Sequence, residues 1–242
     1  DDIAPCTACE TCISYRVYRL PVQCRINAAL GRERDYVLQP AEEKKKVLVI
    51  GGGPAGMETA RVAATRGHDV ALFEKTRRLG GSVLMAGILK GYDGEDLISF
   101  VRYFEIQLKK LGVDIRLGKE FKPSMIDEIK PDVVVLAVGG KVNAPDIPGI
   151  DQRIVMTAPV LHSKLKGYMR FISPQLLQKI TQYWIPIGKN VVIIGGEIQG
   201  AELAEFLVKR GRKVAIISKT DKPIGFGLPR RKQQLLEEWL GE

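Results

Sequence analysis

Four cysteines near the start of the chain are the residues most able to do chemistry. They are Cys6, Cys9, Cys12 and Cys24, with the spacing C-x2-C-x2-C-x11-C. Three cysteines at two-residue intervals can each reach one corner of a 4Fe–4S cube, and a fourth, more distant cysteine completes the set. Zinc sites usually take two separated C-x2-C pairs and are the weaker alternative. Disulfides or free thiols are a third alternative, which ranks below zinc because clustered cysteines do not suit a disulfide scaffold.

A glycine-rich loop is the second stretch able to do chemistry. It has the pattern G-x-G-x-x-G and follows a short apolar run, Val47 to Ile50. Gly51 permits a tight turn, Gly53 lets a pyrophosphate approach the backbone, and Gly56 lets the following helix pack close to the strand. The helix N-terminus offers free N–H groups and a positive dipole to phosphates. We therefore expect a dinucleotide site; a glycine-rich turn without a ligand is the alternative.

The elements around this loop occur in the order that a dinucleotide fold needs. Apolar residues recur at helical spacing after the loop, and Gly67 lies where the helix should end. A second strand, Val70 to Phe73, then ends at Glu74. An acid at this position can accept hydrogen bonds from a ribose diol.

A second strand–loop–helix–strand unit follows about one domain length later. It comprises Val191 to Ile194, the loop Gly195-Gly196-Glu197-Ile198-Gln199-Gly200, a helix through Arg210 and the strand Lys213 to Ile217. We expect it to take NAD(P)H. Only about 25 residues follow the last strand, whereas a doubly wound domain needs roughly 100, so this module is expected to be partial.

Two positions in the second unit depart from the dinucleotide pattern. Glu197 replaces the middle glycine, where a side chain crowds a pyrophosphate and a carboxylate repels it. Ser218 and Lys219 replace the acid expected for NAD. With Arg212 and Lys213 near, this composition favours the 2′-phosphate of NADP(H). The alternative is that Glu197 points away and that the basic residues form only a solvated face.

The remaining patterns indicate an α/β protein with Rossmann-like units. Residues 95–111 form an amphipathic helix, 113–117 and 133–138 are strands, and a helix begins at Ser173-Pro174 with an apolar face that we expect to pack on its own domain. We divide the chain into a cluster segment with linker (1–40), a Rossmann-like dinucleotide-binding domain (41–158), a connecting helical segment (159–190) and a partial second dinucleotide-binding module (191–242); the family resemblance described below implies FAD for the first and NAD(P)H for the second.

Composition excludes several classes of function. The 242 residues carry a net charge of +9, but no aromatic-interleaved basic motif indicates nucleic-acid binding. No apolar run approaches the roughly 20 residues of a membrane span. His68 and His162 are expected in loops without a second ligand, and we identify no catalytic residue. The cysteine pattern and the absence of a signal peptide in the first residues favour a cytoplasmic protein.

Together the motifs PCTACETC, CRINAALGRE and VLVIGGGPAGMETA resemble the C-terminal half of a family of NADH:flavin oxidoreductases. The family includes 2,4-dienoyl-CoA reductase, 2-enoate reductase and trimethylamine dehydrogenase. The resemblance extends over essentially the whole chain. It departs from the family at Ala28, where proline is usual, at Val138, where threonine is usual, and in lacking the N-terminal barrel that holds FMN.

The resemblance implies further contacts and a function. Leu79 to Ser82 is similar to a second flavin-contacting turn, although the residues alone indicate only a flexible turn, and the end of the 133–138 strand is similar to a segment that lies over the flavin nucleotide. The cofactor-binding residues expected are Gly51, Gly53, Pro54, Ala55, Gly56, Glu74, Lys75, Gly80, Gly81, Ser82, Ala137, Gly139, Gly195, Gly200 and Ser218.

The implied function is electron transfer within an iron–sulfur flavoprotein oxidoreductase. Electrons would pass from NAD(P)H through FAD and the 4Fe–4S cluster to FMN in a barrel of the same polypeptide, where an enoate or enoyl thioester would be reduced. The alternatives are an amine-dehydrogenase relay that binds ADP rather than FAD, and a non-catalytic nucleotide-binding module.

Overall fold

The computed structural model describes residues 3–90, 96–141 and 143–240 of the chain. The elements in chain order are α1 (Thr11–Val17), β1 (Lys46–Ile50), α2 (Pro54–Thr65), β2 (Asp69–Glu74), α3 (Ser82–Lys90), α4 (Leu97–Lys110), β3 (Asp114–Leu117), a 3-10 turn (Pro123–Met125), α5 (Ile126–Ile129), β4 (Val133–Leu136), α6 (Ala158–Tyr168), α7 (Pro174–Tyr183), β5 (Asn190–Ile194), α8 (Ile198–Val208), β6 (Lys213–Ile217) and α9 (Arg230–Leu240). Within the described residues, none of the helices is both long and apolar enough to span a bilayer.

The chain forms two compact units. The first is built mainly from Val37–Ala86 and Leu97–Pro174. The second is built mainly from Cys6–Tyr36 and from the chain after Gln175, so the cysteines belong to the same unit as the second glycine-rich loop.

The first unit is organised around a four-stranded parallel sheet in the order β3-β2-β1-β4. In the register, Val49 of β1 lies opposite Leu72 of β2 on one side and Val135 of β4 on the other. A parallel pair needs a crossover, and α2 supplies it between β1 and β2. The carboxyl ends of β1, β2 and β4 therefore meet at one edge, where the loop Gly51–Gly56 begins.

The core of the first unit lies between β1, β2 and the helices α2 and α4. Leu48, Val49, Met57 and Leu72 have no exposed surface. Phe100 and Phe104 on α4 add an edge-to-face ring pair with centroids 4.9 Å apart. Each such buried side chain contributes about 1.5–3 kcal/mol to folding. This core holds β1 and the N-terminus of α2 in fixed relation, which positions the loop between them.

The second unit contains a two-stranded parallel sheet, β5-β6, with Asn190 opposite Lys213 and Ile194 opposite Ile217. Helix α8 covers it with small and apolar residues, among them Ala201, Ala204 and Leu207, which are at most 1% exposed. The small alanines let the helix approach the strands closely. The predicted strands and helices of both glycine-loop units are confirmed within one to two residues.

Several sequence expectations outside the two strand–loop–helix–strand segments were wrong or incomplete. His162 lies in α6, not in a loop. Of the apolar residues predicted to pack along α7, Leu177 is buried, but Leu176, Tyr183 and the following Trp184 are 50, 91 and 64% exposed. The helices α1, α3, α5 and α9 were not predicted, and α6 was expected only as part of the connecting helical segment 159–190. The pattern around them is interrupted or short, and tertiary contacts decide such segments.

Candidate nucleotide and cluster sites

The loop between β1 and α2 is shaped by glycines that the backbone requires. Gly51 has φ +110°, and a Cβ there would collide with the Ala137 carbonyl oxygen. Its N–H donates to the Phe73 carbonyl oxygen at 2.8 Å, which joins the loop to β2. A Cβ on Gly56 would collide with the Gly51 carbonyl oxygen, so α2 packs directly against the end of β1. These contacts account for the first and last glycines of the motif without any ligand.

Gly53 differs from its neighbours because no contact within the protein requires a glycine there. It caps α2 with an extended backbone, φ −76° and ψ −178°, and Pro54 and Ala55 follow as the exposed first residues of the helix. A Cβ on Gly53 would meet no atom within 4 Å. The space in front of the helix N-terminus is therefore open, and the positive end of the α2 dipole faces it. This opening suits an anionic group.

Glu74 ends β2 and is only 8% exposed. Its Oε2 accepts the N–H of Gly52 at 2.8 Å, and its Oε1 accepts the N–H of Thr76 at 2.7 Å. The carboxylate thus ties the glycine loop to the end of β2. Each carboxylate oxygen has a second lone pair for a ribose hydroxyl. Lys75, the next residue, is exposed.

The turn before α3 lies against the glycine loop, although the two are far apart in the sequence. The N–H of Gly80 donates to the carbonyl oxygen of Gly52 at 2.8 Å. A Cβ on Gly81 would lie 3.1 Å from the Cα of Gly53, and Ser82 begins α3 with an exposed side chain. The turn is therefore more than a flexible connection, because it forms a wall of the opening at Gly53.

The chain beyond β4 reaches the same edge of the sheet. The N–H of Ala137 donates to the Ile50 carbonyl oxygen at 2.8 Å, directly beside the start of the glycine loop. Gly139 follows two residues later and is exposed. The structure thus gathers the predicted contacts of the first unit at the carboxyl edge of its sheet, where open α/β sheets bind ligands.

The second unit places Gly195, Gly200 and Ser218 in the equivalent positions. The N–H of Gly195 donates to the Ile217 carbonyl oxygen at 2.8 Å, and a Cβ on Gly200 would collide with the Gly195 carbonyl oxygen. Sequence reasoning missed Gly225, whose N–H donates to the carbonyl oxygen of Gly196 at 2.7 Å. The signal for it was the pattern Gly225-Phe226-Gly227 after the last strand.

The basic residues near β6 are distributed differently from the sequence expectation. Arg212 donates from Nε to the Ile187 carbonyl oxygen and from its two terminal nitrogens to the carbonyl oxygens of Arg210 and Ile185, at 3.0–3.3 Å. Its guanidinium is therefore committed to the backbone, and the expectation that Arg212 favours a 2′-phosphate is wrong.

Lys213 lies at the opposite end of β6 from Ser218, because Lys213 begins the strand and Ser218 comes directly after its last residue. Five residues of strand separate them by about 16 Å. Ser218 Oγ lies within 3.3 Å of the N–H of Thr220 in an exposed turn, and Lys219 is exposed beside it. Lys219 and Thr220 are consequently the neighbours of Ser218 that can meet a ribose substituent.

The four cysteines are free thiols, so the disulfide alternative has no support. Cys6 and Cys24 share one local pattern, in which the sulfur accepts an N–H two residues on, from Ala8 and Ile26, at 3.4 Å each. Ala8 and Glu10 both have positive φ, 50° and 58°, so the chain bends sharply on either side of Cys9. Left-handed conformations at non-glycine residues cost energy and are concentrated at ligand-binding turns.

Cys9 is the cysteine whose ionisation the structure perturbs. Burial acts to raise the pKa of its thiol, but hydrogen bonds with Thr11 and Thr7 and the positive charge of Arg25 outweigh it, so the pKa is lowered. The Thr11 hydroxyl lies 3.4 Å from the Cys9 sulfur. A lowered pKa favours the thiolate, the form that binds metal.

The first unit and the cysteine segment differ in how well they fit their expected groups. The opening at Gly53, with an acid at the end of β2, fits the pyrophosphate and ribose of FAD. The cysteines are the right donors for iron, and N–H groups already point at two sulfurs. However, no group of three or more cysteine, histidine or acidic side chains among the described residues is arranged to hold a metal ion. The cluster therefore stays a prediction from spacing and donor chemistry.

Comparisons with known proteins agree with this architecture. Residues 45–241 match the family model described as pyridine nucleotide-disulphide oxidoreductase. The chain is 36% identical to cinnamate reductase of Clostridium sporogenes over 230 residues, which are 95% of this chain and 31% of that protein. It is 31% identical to dimethylamine dehydrogenase of Hyphomicrobium over 231 residues, which are 89% of this chain and 30% of that protein.

A solved structure of 2-naphthoyl-CoA reductase is similar over 99% of this chain and 34% of its own, with 34% identity and a TM-score of 0.81. The chain thus spans about a third of the length of the relatives that it matches. It belongs to the pyridine nucleotide-disulphide oxidoreductases and, among them, to the flavin oxidoreductase family of 2-enoate reductase and trimethylamine dehydrogenase, of which it represents the C-terminal part.

Proposed function

We propose that this chain is the electron-transfer portion of an iron–sulfur flavoprotein oxidoreductase. In this proposal the first unit binds FAD, the four cysteines bind a 4Fe–4S cluster, and NAD(P)H is the electron donor. The acceptor is FMN in an N-terminal barrel of the same polypeptide, where an activated C=C bond of an enoate or enoyl thioester is reduced. The chain itself contributes cofactor binding and orientation, and we assign it no catalytic acid or base.

The opening in front of α2 is the observation that supports this function most directly. The glycine at position 53 has no structural necessity within the protein, since a Cβ there would meet nothing. It is, however, what an approaching pyrophosphate requires. Glu74 is already held at the same edge by two N–H groups, so a ribose would meet a preoriented carboxylate. Bound FAD would supply the exchange between two-electron and one-electron transfer.

Two further features support the cluster and the larger polypeptide. The N–H groups of Ala8 and Ile26 would stabilise thiolates at Cys6 and Cys24. The relatives are about three times as long as this chain, which agrees with an additional domain in the same polypeptide. The four free cysteines also agree with a reducing, cytoplasmic location.

The test is a comparison of the parent polypeptide with its Gly53→Val variant, both purified without oxygen. We expect FAD in a one-to-one ratio in the parent and its loss in the variant, with the cluster retained. Adding NADPH or NADH should bleach the flavin and then the cluster absorbance. Unchanged FAD retention in Gly53→Val contradicts the assignment of the first unit, and a cluster that stays oxidised contradicts the relay.

An amine-dehydrogenase relay is the second candidate, and the second unit gives it specific support. There Glu197 occupies the position of Gly53, which disfavours a nicotinamide dinucleotide. In this candidate the first unit binds ADP, and electrons leave the cluster for a separate flavoprotein. ADP in place of FAD after denaturation would favour it. A non-catalytic nucleotide-binding module would bind FAD or ADP without accepting electrons from any donor.

A further inference from the structure

The two glycine-loop units of this chain repeat the same backbone contacts and can be compared position by position. The N–H of the first glycine of each loop donates to a carbonyl oxygen near the end of the neighbouring strand. Gly51 donates to Phe73 and Gly195 donates to Ile217, both at 2.8 Å. Each loop is followed by a helix, α2 or α8, that begins three residues later. The two loops therefore share the same backbone hydrogen bond and the same distance to the start of the helix.

The later turn of each unit is attached in the same way. The N–H of Gly80 donates to the carbonyl oxygen of Gly52 at 2.8 Å, and that of Gly225 donates to the carbonyl oxygen of Gly196 at 2.7 Å. The residue after each donor then lies beside the helix cap. Residue 226 therefore follows its donor as residue 81 does, although Gly81 has φ +54° and Phe226 does not have a positive φ; residues 53 and 197 correspond as helix caps.

The helix cap and the residue beside it are both glycines in the first unit, Gly53 and Gly81. In the second unit the same two positions hold large residues, Glu197 and Phe226. A Cβ on Gly81 would lie 3.1 Å from the Cα of Gly53, so the two glycines approach closely, whereas the space in front of Gly53 itself is open. In the second unit Glu197 and Phe226 pair through a parallel β-bridge. A carboxylate and a phenyl ring are thus introduced where the first unit has no side chain.

The side chain of Glu197 begins in the space that a pyrophosphate would need. Glu197 caps α8 with φ −74° and ψ −172°, almost the conformation of Gly53, φ −76° and ψ −178°. The backbone fixes the direction of a Cβ, so the Cβ of Glu197 extends into the region that is open at Gly53. A carboxylate on that stem adds negative charge at the end of the helix that attracts anions.

Phe226 is the residue that pairs with Glu197. Its side chain is 44% exposed, and the Lys222 ammonium lies 4.2 Å from the ring centroid, a cation–π contact. Lys222 is therefore a positive charge close to the altered loop. Removing the obstruction would leave that charge and the helix dipole to attract phosphate.

We propose that Glu197 and Phe226 obstruct the pyrophosphate position of the second unit, so that this unit holds NAD(P)H loosely. The proposal rests on NAD(P)H as the electron donor. It adds that the affinity of this chain for its donor is limited by two of its own side chains. The first unit, with glycine at both positions, keeps a dinucleotide bound while the second exchanges it readily.

The experiment is a calorimetric titration of NADPH, and separately of NADH, into the parent polypeptide saturated with FAD and fully reduced with dithionite without oxygen, so that the heat reports binding and not flavin reduction. The variants are Glu197→Gly, Glu197→Gln, Phe226→Gly and the double glycine variant. We expect a dissociation constant near 1 mM for the wild type, and at least a tenfold lower one for Glu197→Gly, equal to about 1.4 kcal/mol. Glu197→Gln should be intermediate because it removes charge but not volume, and the double variant should bind most tightly.

The matched control is Asp221→Asn, which removes an exposed negative charge from the neighbouring turn without opening the loop. It should change the dissociation constant less than twofold. Because bound FAD occupies the first unit, saturation with FAD excludes nucleotide binding there. Circular dichroism checks folding, and the isosteric Glu197→Gln serves if the glycine variant does not fold.

Three results would overturn the proposal. The first is that the wild type binds NADPH or NADH with a micromolar dissociation constant and that the constant of Glu197→Gly lies within twofold of it. The second is that Asp221→Asn changes the dissociation constant as much as Glu197→Gln, which would make net charge rather than position the cause. The third is that none of the variants binds either nucleotide, which would mean that the obstruction does not limit affinity. Failure of the proposed electron relay is a separate result, since it is measured by flavin and cluster reduction rather than by binding.

Discussion

Replacing Glu74 by alanine should destabilise the first unit even when no cofactor is present. The carboxylate accepts two backbone N–H groups, from Gly52 at 2.8 Å and Thr76 at 2.7 Å, and is only 8% exposed. If Glu74 served only a ribose, the apoprotein would not depend on it. The contacts show instead that it joins the glycine loop to the end of β2.

The magnitude follows from the two donors that the substitution leaves without a partner. An unsatisfied buried donor costs about 1–3 kcal/mol, and water can reach these groups in part, so we expect a loss of about 2–4 kcal/mol. For a domain of this size each kcal/mol lowers Tm by about 2–5 °C, which gives a total decrease of about 4–20 °C. Glu74→Gln keeps one acceptor oxygen but turns an NH2 group toward an N–H, so it should be intermediate.

The assay is thermal and urea unfolding of the apoprotein, followed by FAD titration of the folded variants. Glu58→Gln is the matched control, because Glu58 makes a partly exposed pair with Arg61 at 2.7 Å on α2 of the same unit. Such a pair contributes about 0.5 kcal/mol or less. An apo Glu74→Ala protein as stable as Glu58→Gln, with weakened FAD binding only, would refute the structural role.

Four further outcomes can be measured. Gly53→Val should abolish FAD binding with little change in Tm, whereas Gly56→Ala should lower the free energy of unfolding by about 2–4 kcal/mol, since its Cβ would strike a backbone carbonyl; equal effects of the two on stability would contradict this. Anaerobic protein should contain about four iron and four sulfide per chain and lose them in Cys24→Ser, and zinc in their place would contradict the cluster. Arg212→Ala should destabilise the second unit by about 1–3 kcal/mol without changing the ratio of NADPH to NADH affinity. Lys219→Ala should lower that ratio, and an unchanged ratio would show that Lys219 does not contact a 2′-phosphate.

The order of elements around each glycine loop could be predicted from the sequence because the signals are local. A short apolar run such as Val47 to Ile50 is a buried strand, and glycines at fixed spacing followed by helical periodicity specify a turn into a helix. The same reasoning found β5, α8 and β6. The cysteine spacing likewise indicates a cluster from the sequence alone.

Helices outside the two strand–loop–helix–strand segments were predicted poorly because their local signals are weak. Helix α3 follows two glycines, α6 contains Gly167, and α1 overlaps the cysteine run, so periodicity alone did not identify them. The exposed face of α7 was misjudged for a related reason. An apolar stripe shows that a helix can bury one face, but only the tertiary structure shows which of those residues is covered.

Contacts between distant residues were decided by the tertiary structure alone. Composition indicated that Arg212 could serve a phosphate, but the folded chain commits it to backbone carbonyls at 185–187 and 210. Spacing assigned Glu74 to a ribose, and folding adds the N–H groups of Gly52 and Thr76.

Glu197 was recognisable as an anomaly because a motif defines the residue expected at each of its positions. Phe226 was not, since nothing in the order of residues places position 226 opposite position 197. That pairing exists because β5 and β6 are parallel, so the turn after β6 returns across the carboxyl edge of the sheet to the start of α8. The motif can therefore be recognised in the sequence, whereas the pairing of positions 197 and 226 exists only in the folded chain.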